Sequence, residues 1–104
     1  MYYECERYVF VHAGVDLGKK DWHDSSEEDF LWIREPFHKK KNRSGKTIVF
    51  GHTPTFYLHG DNDRSDLWIS DDKIGIDGGA VYGGSLHGVV FDKTGLKADH
   101  IIQK

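Results

Sequence analysis

Apolar and β-branched residues come in short bursts along this chain, never in long runs. Residues 7–11, with Tyr8-Val9-Phe10-Val11 at their end, predict a buried strand stopped by Ala13-Gly14. Residues 15–24 are polar and predict a connection. A helix is expected to begin at Ser25, where Ser25 and Glu28 have capping-box spacing and Asp24, Glu27, Glu28 and Asp29 place negative charge at the positive helix end. Phe30, Ile33 and Phe37 then share one face, widened by Leu31 and Trp32, until Pro36 weakens the helix. After a basic loop over 39–46, residues 47–50 predict the next strand, punctuated by Gly51 and Pro54. Residues 59–66 are all turn formers. Residues 67–69 and 73–77, joined at Asp71-Asp72, predict a hairpin. Two glycine pairs flank Ala80-Val81-Tyr82, and residues 86–91 and 96–102 predict a second hairpin across Asp92-Lys93-Thr94-Gly95. The pattern shows no internal repeat, low-complexity tract or domain boundary. The expected class is mixed α/β, strand-rich with one main helix.

Length and charge narrow the function classes. The 104 residues suffice for one small domain or a piece of a larger one. No apolar run approaches the roughly 20 residues that a membrane-spanning helix needs, so no membrane partner is expected. A secretory signal is not expected either, because no basic stretch followed by an apolar one opens the chain. The single cysteine, Cys5, cannot form an internal disulfide, which points to a cytoplasmic setting; with no base near it in sequence it is not assigned as a nucleophile. Fourteen Lys and Arg against seventeen Asp and Glu give a formal charge of −3, against the strongly basic balance of a nucleic-acid binder.

Seven histidines are the chemically conspicuous feature. His12 follows the strand ending at Val11 and precedes Ala13-Gly14. His52 follows the strand ending at Phe50, between Gly51 and Thr53-Pro54. Strand carboxyl ends deliver side chains to a shared crevice, and two neutral imidazoles converging there suit Zn, Mn or Fe. His23, His38, His59, His87 and His100 show no shared geometry and receive no role. Ser44-Gly45-Lys46-Thr47 echoes the end of a phosphate-binding loop, but Lys40 stands where the earlier glycine is required. The basic run over 39–46 reads as a solvated loop next to a helix end.

Four strings occur in order: Phe10-Val11-His12-Ala13-Gly14, Leu31-Trp32-Ile33-Arg34, Phe50-Gly51-His52-Thr53-Pro54, and Ile76-Asp77-Gly78-Gly79-Ala80-Val81-Tyr82-Gly83-Gly84-Ser85-Leu86. Together they resemble the C-terminal half of a calcineurin-like metallophosphoesterase, closest to the bacterial and phage serine/threonine protein phosphatases. The resemblance runs from about residue 8 to 102, so residues 1–104 would be the C-terminal portion of such a domain, half of an αββα sandwich. It implies a dinuclear centre, with manganese expected and iron or zinc as alternatives, and attack on phosphorus by a metal-bound hydroxide. His12 and His52 would ligate one metal ion. Arg34, expected on the helix after Trp32, would grip the phosphate of a phosphorylated protein or small phosphoester. Asp77 and Tyr82 would stand behind and at the rim of the site.

The same resemblance leaves a gap. The family's N-terminal half carries Asp-x-His-Gly, Gly-Asp-x-x-Asp-Arg-Gly and Gly-Asn-His-Glu, which supply the remaining ligands and the general acid. Asp21-Trp22-His23 and Gly60-Asp61-Asn62-Asp63-Arg64-Ser65 imitate two of them out of order and read as loop residues. Gly78 also stands where the family more often has threonine. The chain is therefore expected to be a truncated, proteolysed or separately expressed segment, inactive alone, with Met1 an internal or engineered start. Strand faces left without partners would make it self-associate. Two other readings stay open: a non-catalytic binding domain retaining half of the fold, and a symmetrical dinucleoside tetraphosphate hydrolase.

Overall fold

The computed structural model describes residues 2–103, without the side chains of Ile102 and Gln103; Met1, read above as an internal or engineered start, lies outside the described residues, as does Lys104. Seven strands and two short helices follow one another as β1 (Tyr2–Glu4), β2 (Tyr8–Val11), α1 (Glu27–Trp32), β3 (Thr47–Phe50), α2 (Thr55–His59), β4 (Trp68–Ser70), β5 (Lys73–Gly75), β6 (Leu86–Asp92) and β7 (Gly95–Gln103). A mixed five-stranded sheet runs in the order β1-β2-β3-β5-β4, and β6-β7 form a separate antiparallel pair. Strands β2, β3 and β5 are mutually parallel, with Val11 beside Phe50 and Phe50 beside Gly75. Their carboxyl ends therefore open on one edge.

Alternation along the central strands covers both faces of that sheet. Val9, Val11, Ile48 and Phe50 pack with Val15, Trp22, Phe30 and Phe37 on the helical side. Tyr8, Val49 and Ile74 form the other face, with Phe10, Leu67, Ile76 and Phe91 against them. Phe91 docks the β6-β7 hairpin there, its ring centroid 5.1 Å from that of Tyr8, whose hydroxyl donates to the Asp92 carbonyl at 2.7 Å. A second clamp holds the other end of the hairpin. The buried His87 ring bonds Asp99 through Nδ1 at 2.7 Å and the Ser65 carbonyl through Nε2 at 2.6 Å. Burial pushes its pKa down, but the Ser65 carbonyl and the Asp99 carboxylate outweigh this and raise it, because only the protonated ring donates to both.

The helix differs from its sequence expectation. It starts one residue later, the capping box being Ser26 with Asp29, and ends at Trp32 with Ile33 as its C-cap. Arg34 is therefore not on the helix. The segment from Glu35 to Lys39 turns instead, through a cis Glu35–Pro36 bond, and buries Phe37 and His38. Six helical residues are marginal in isolation, and burying Phe37 edge-on against Phe50 overrides the periodicity that would have extended them. A second helix, α2, was not expected and takes His59 from the expected turn region; Gly60 closes it in a left-handed conformation (φ 70°). The expectation of one main helix is thus replaced by two short ones. The fold is a small α/β domain with a mixed five-stranded sheet, a β-hairpin and two short helices.

Candidate functional site

Parallel registration of β2, β3 and β5 carries three residues past the same sheet edge: His12 after β2, His52 after β3 and Asp77 after β5. Backbone bonds hold the three exits together. The Gly51 amide donates to the His12 carbonyl at 2.8 Å, Ile76 donates to the Phe50 carbonyl at 3.0 Å, and Thr55 donates to the Asp77 carbonyl at 2.7 Å. The His12 and His52 rings end up 5.2 Å apart between centroids, tilted by 50°. Trp32, the last residue of α1, stands edge-on to His52 at 5.5 Å.

His52 adopts φ of 68°, a left-handed conformation uncommon outside glycine. Backbone strain of this kind is held by its surroundings and concentrates where side-chain aim matters. Burial lowers the pKa of His52, and the Arg34 and His12 charges lower it further, against opposition from Asp77 and the Trp32 backbone. The net lowering favours the neutral form of the ring, the form a metal ligand requires. On either side of Pro54, the Thr53 and Thr55 hydroxyls are buried without a hydrogen-bond partner.

A cavity of about 340 Å³ opens beside His52, lined by Arg34, Asp77 and Tyr82 together with Pro54, Phe56, Tyr57, Gly79 and Val81. Arg34, exposed and beyond the helix cap, has no ion pair among the described residues; Glu35 pairs instead with Lys39 at 3.3 Å. Asp77 accepts from the Gly79 amide at 2.9 Å, which aims its carboxylate along the cavity wall. Tyr82 is exposed and meets Phe56 edge-on at 6.1 Å. The geometry brings Arg34, His52, Asp77 and Tyr82 around one cavity; His12 is beside His52 but not in its lining. The aromatic wall of Phe56 and Tyr57 was not anticipated, although the Phe56-Tyr57 pair directly after His52-Thr53-Pro54 is its sequence signal.

The two imitating motifs lie elsewhere. His23 bonds Asp21 and Glu4, each at 2.7 Å, on the surface. Arg64 pairs with Asp66 at 2.8 Å in the loop after α2. The donor set at His12 and His52 fits two ligands of a divalent ion: two imidazoles converge, and the surroundings of His52 favour its neutral form. It does not complete a shell, since among the described residues no group of three or more His, Cys, Asp or Glu could hold a metal.

What fold and geometry define is a small α/β domain presenting an imidazole pair at the ends of adjacent parallel strands. No family model matches the chain, and neither does any curated protein or solved structure. No helix among the described residues is long and apolar enough to cross a membrane.

Proposed function

We propose that the chain supplies the imidazole-bearing part of a metal-dependent phosphoester hydrolase of the serine/threonine protein phosphatase type. One observation carries this reading: the His12 and His52 rings lie 5.2 Å apart at the carboxyl ends of adjacent parallel strands. His12 and His52 would hold a divalent ion, manganese first, with iron or zinc as alternatives. When bound, such an ion supplies Lewis acidity toward a phosphoester and lowers the pKa of the attacking water. Arg34 would grip phosphate oxygens with its planar donors. Asp77 would keep the Pro54–Gly79 wall in place through its bond to the Gly79 amide. Phe56, Tyr57 and Tyr82 would shield the phosphoester's leaving group from water.

Two imidazoles leave the shell incomplete, so the remaining ligands would come from other residues brought to this edge. Calorimetry with Mn²⁺ is expected to show weak binding to the chain, with affinity at least ~10-fold lower in His12→Ala and in His52→Ala. Unchanged uptake in both variants rejects the ligand pair. With para-nitrophenyl phosphate and Mn²⁺ the chain alone is expected to be inactive; robust turnover would overturn the incomplete shell. In a preparation completed by its missing ligands, faster cleavage of a dinucleoside polyphosphate than of a phosphoprotein would move the assignment to that hydrolase. The missing third ligand also favours a second reading, a non-catalytic binding domain, which predicts no metal uptake at all.

Self-association belongs to the same proposal. The β6-β7 hairpin exposes Leu86, Val90, Leu96 and Ile101, and the edge strand β4 exposes Ile69. Light scattering is expected to report a dimer or larger; a monomer across the accessible concentration range contradicts it.

A further inference from the structure

Two segments far apart in sequence, the turn after Val15 and the loop after His38, face each other across a concavity of about 650 Å³. Its lining contains Lys19, Lys20, Lys40, Lys41 and Arg43, with one carboxylate beside it, that of Asp16, which accepts from the Gly18 amide. None of these five cations takes part in an ion pair among the described residues. In a chain whose formal charge is −3, such a concentration leaves the remaining surface acidic and the concavity attractive to anions.

The walls are held in place before any ligand arrives. The buried Lys73 ammonium donates to the His38 carbonyl at 3.3 Å and to the Lys40 carbonyl, fixing the backbone that carries Lys40 and Lys41. Asn42 donates to the Lys46 and Asp72 carbonyls at 2.9 and 3.1 Å and accepts from Ser44, setting the turn that bears Arg43. On the opposite wall Asp16 receives the Gly18 amide at 2.9 Å, while its own amide donates to Ser25. Gly18 lets Asp16 close on the turn: a Cβ there would sit 3.1 Å from the Asp16 carboxylate, and 3.4 Å from the Lys40 ammonium nitrogen.

We infer that this concavity is a binding site for a linear oligophosphate, independent of the imidazole pair, with which it shares no lining residue. Its volume suits a small molecule. Its one aromatic, Trp22, is buried and stacked on His23 at 3.8 Å, so no free ring stands ready to take a nucleobase. Recognition is by charge, and a free triphosphate and the triphosphate of a nucleotide present the same chemistry.

The test is calorimetry of the full chain with inorganic triphosphate, a nucleoside triphosphate and a single-stranded oligonucleotide. Inorganic triphosphate is expected to saturate one site at low salt and to weaken as salt rises. The Lys40→Gln/Arg43→Gln double variant should bind at least ~10-fold more weakly, having lost two charge-assisted contacts. The Lys93→Gln/Lys97→Gln control on the hairpin should match the parent, and both variants should keep its circular dichroism. The nucleotide should bind like inorganic triphosphate. Absence of saturable binding, or equal losses in the two double variants, overturns the site. Tighter binding of the nucleotide overturns recognition by charge alone, and tighter binding of the oligonucleotide replaces the small ligand with a nucleic-acid strand.

Discussion

Gly78→Ala is expected to loosen the β6-β7 hairpin from the domain and to lower stability by about 3 kcal/mol, within the upper range for forced overpacking. A Cβ at this position would lie 2.3 Å from the Ser85 carbonyl oxygen and 2.8 and 2.9 Å from two atoms of the His87 ring. Neither neighbour can yield cheaply. The Ser85 amide donates to the Gly78 carbonyl at 3.0 Å, and its hydroxyl is bonded to Ser65 at 2.7 Å. His87 is clamped between Asp99 and the Ser65 carbonyl. Gly78 has no left-handed φ, so the requirement is space. Gly60→Ala makes the comparison: it meets nothing within 4 Å but carries φ of 70°, and should cost about 1 kcal/mol. Urea unfolding measures both. If Gly78→Ala stays within about 1 kcal/mol of the parent, the tight approach does not hold the hairpin.

Six of the seven strands were legible because each of them announces itself within a few residues. Tyr8-Val9-Phe10-Val11 and Ile48-Val49-Phe50 are continuous apolar runs because parallel strands covered on both faces have no polar side. Asp71 and Asp72, with φ of 52° and 57°, form the left-handed pair that a two-residue hairpin turn demands. What escaped lacked such local signals. Strand β1 is a three-residue exposed edge whose only evidence is its pairing with β2. Helix α2 is five residues long and has no side-chain cap at Pro54. For α1 the signal was present but misleading: Phe30, Ile33 and Phe37 do share a core, yet Phe37 reaches it from a turn. Of the candidate site, strand ends gave His12 and His52, Asp77 entered only through the resemblance, and the relation of Arg34 to His52 depends on where α1 stops. The buried His38 and Lys73 could not be read at all, because their environment is built by segments distant in the chain.

His38 should make the protein lose about 3 kcal/mol of stability as pH falls from 6.5 to about 4. Its ring is buried, stacked on Phe50 at 5.4 Å, and neither nitrogen has a hydrogen-bond partner. Burial pushes its pKa from 6.5 down to about 4, the Lys73 charge pushes the same way, with smaller help from Arg34 and His52, and Glu35 opposes. The unfolded chain takes up this proton near its ordinary value, the folded chain only near 4. Between those values the unfolded state therefore binds more protons and stability falls with pH; above and below the window this group contributes no slope. His52, whose pKa is also lowered, adds in the same direction. His87, with a raised pKa, contributes stability that is complete below 6.5 and lost as pH climbs through its folded value, so it leaves the acid window untouched. His38→Leu isolates the effect. It should flatten most of the slope between pH 6.5 and 4 and leave the part due to His52 and, toward the acid end, to Glu4, Asp21, Asp66 and Asp92, whose carboxylates the folded chain holds below their usual range. At pH 7 the variant should be at least as stable as the parent, because it removes two unpartnered buried nitrogens without removing the apolar filling. Urea unfolding of parent and variant at pH 7, 5.5 and 4 measures the difference. Parallel stability curves for the two proteins would show that the ring is not held neutral by its burial.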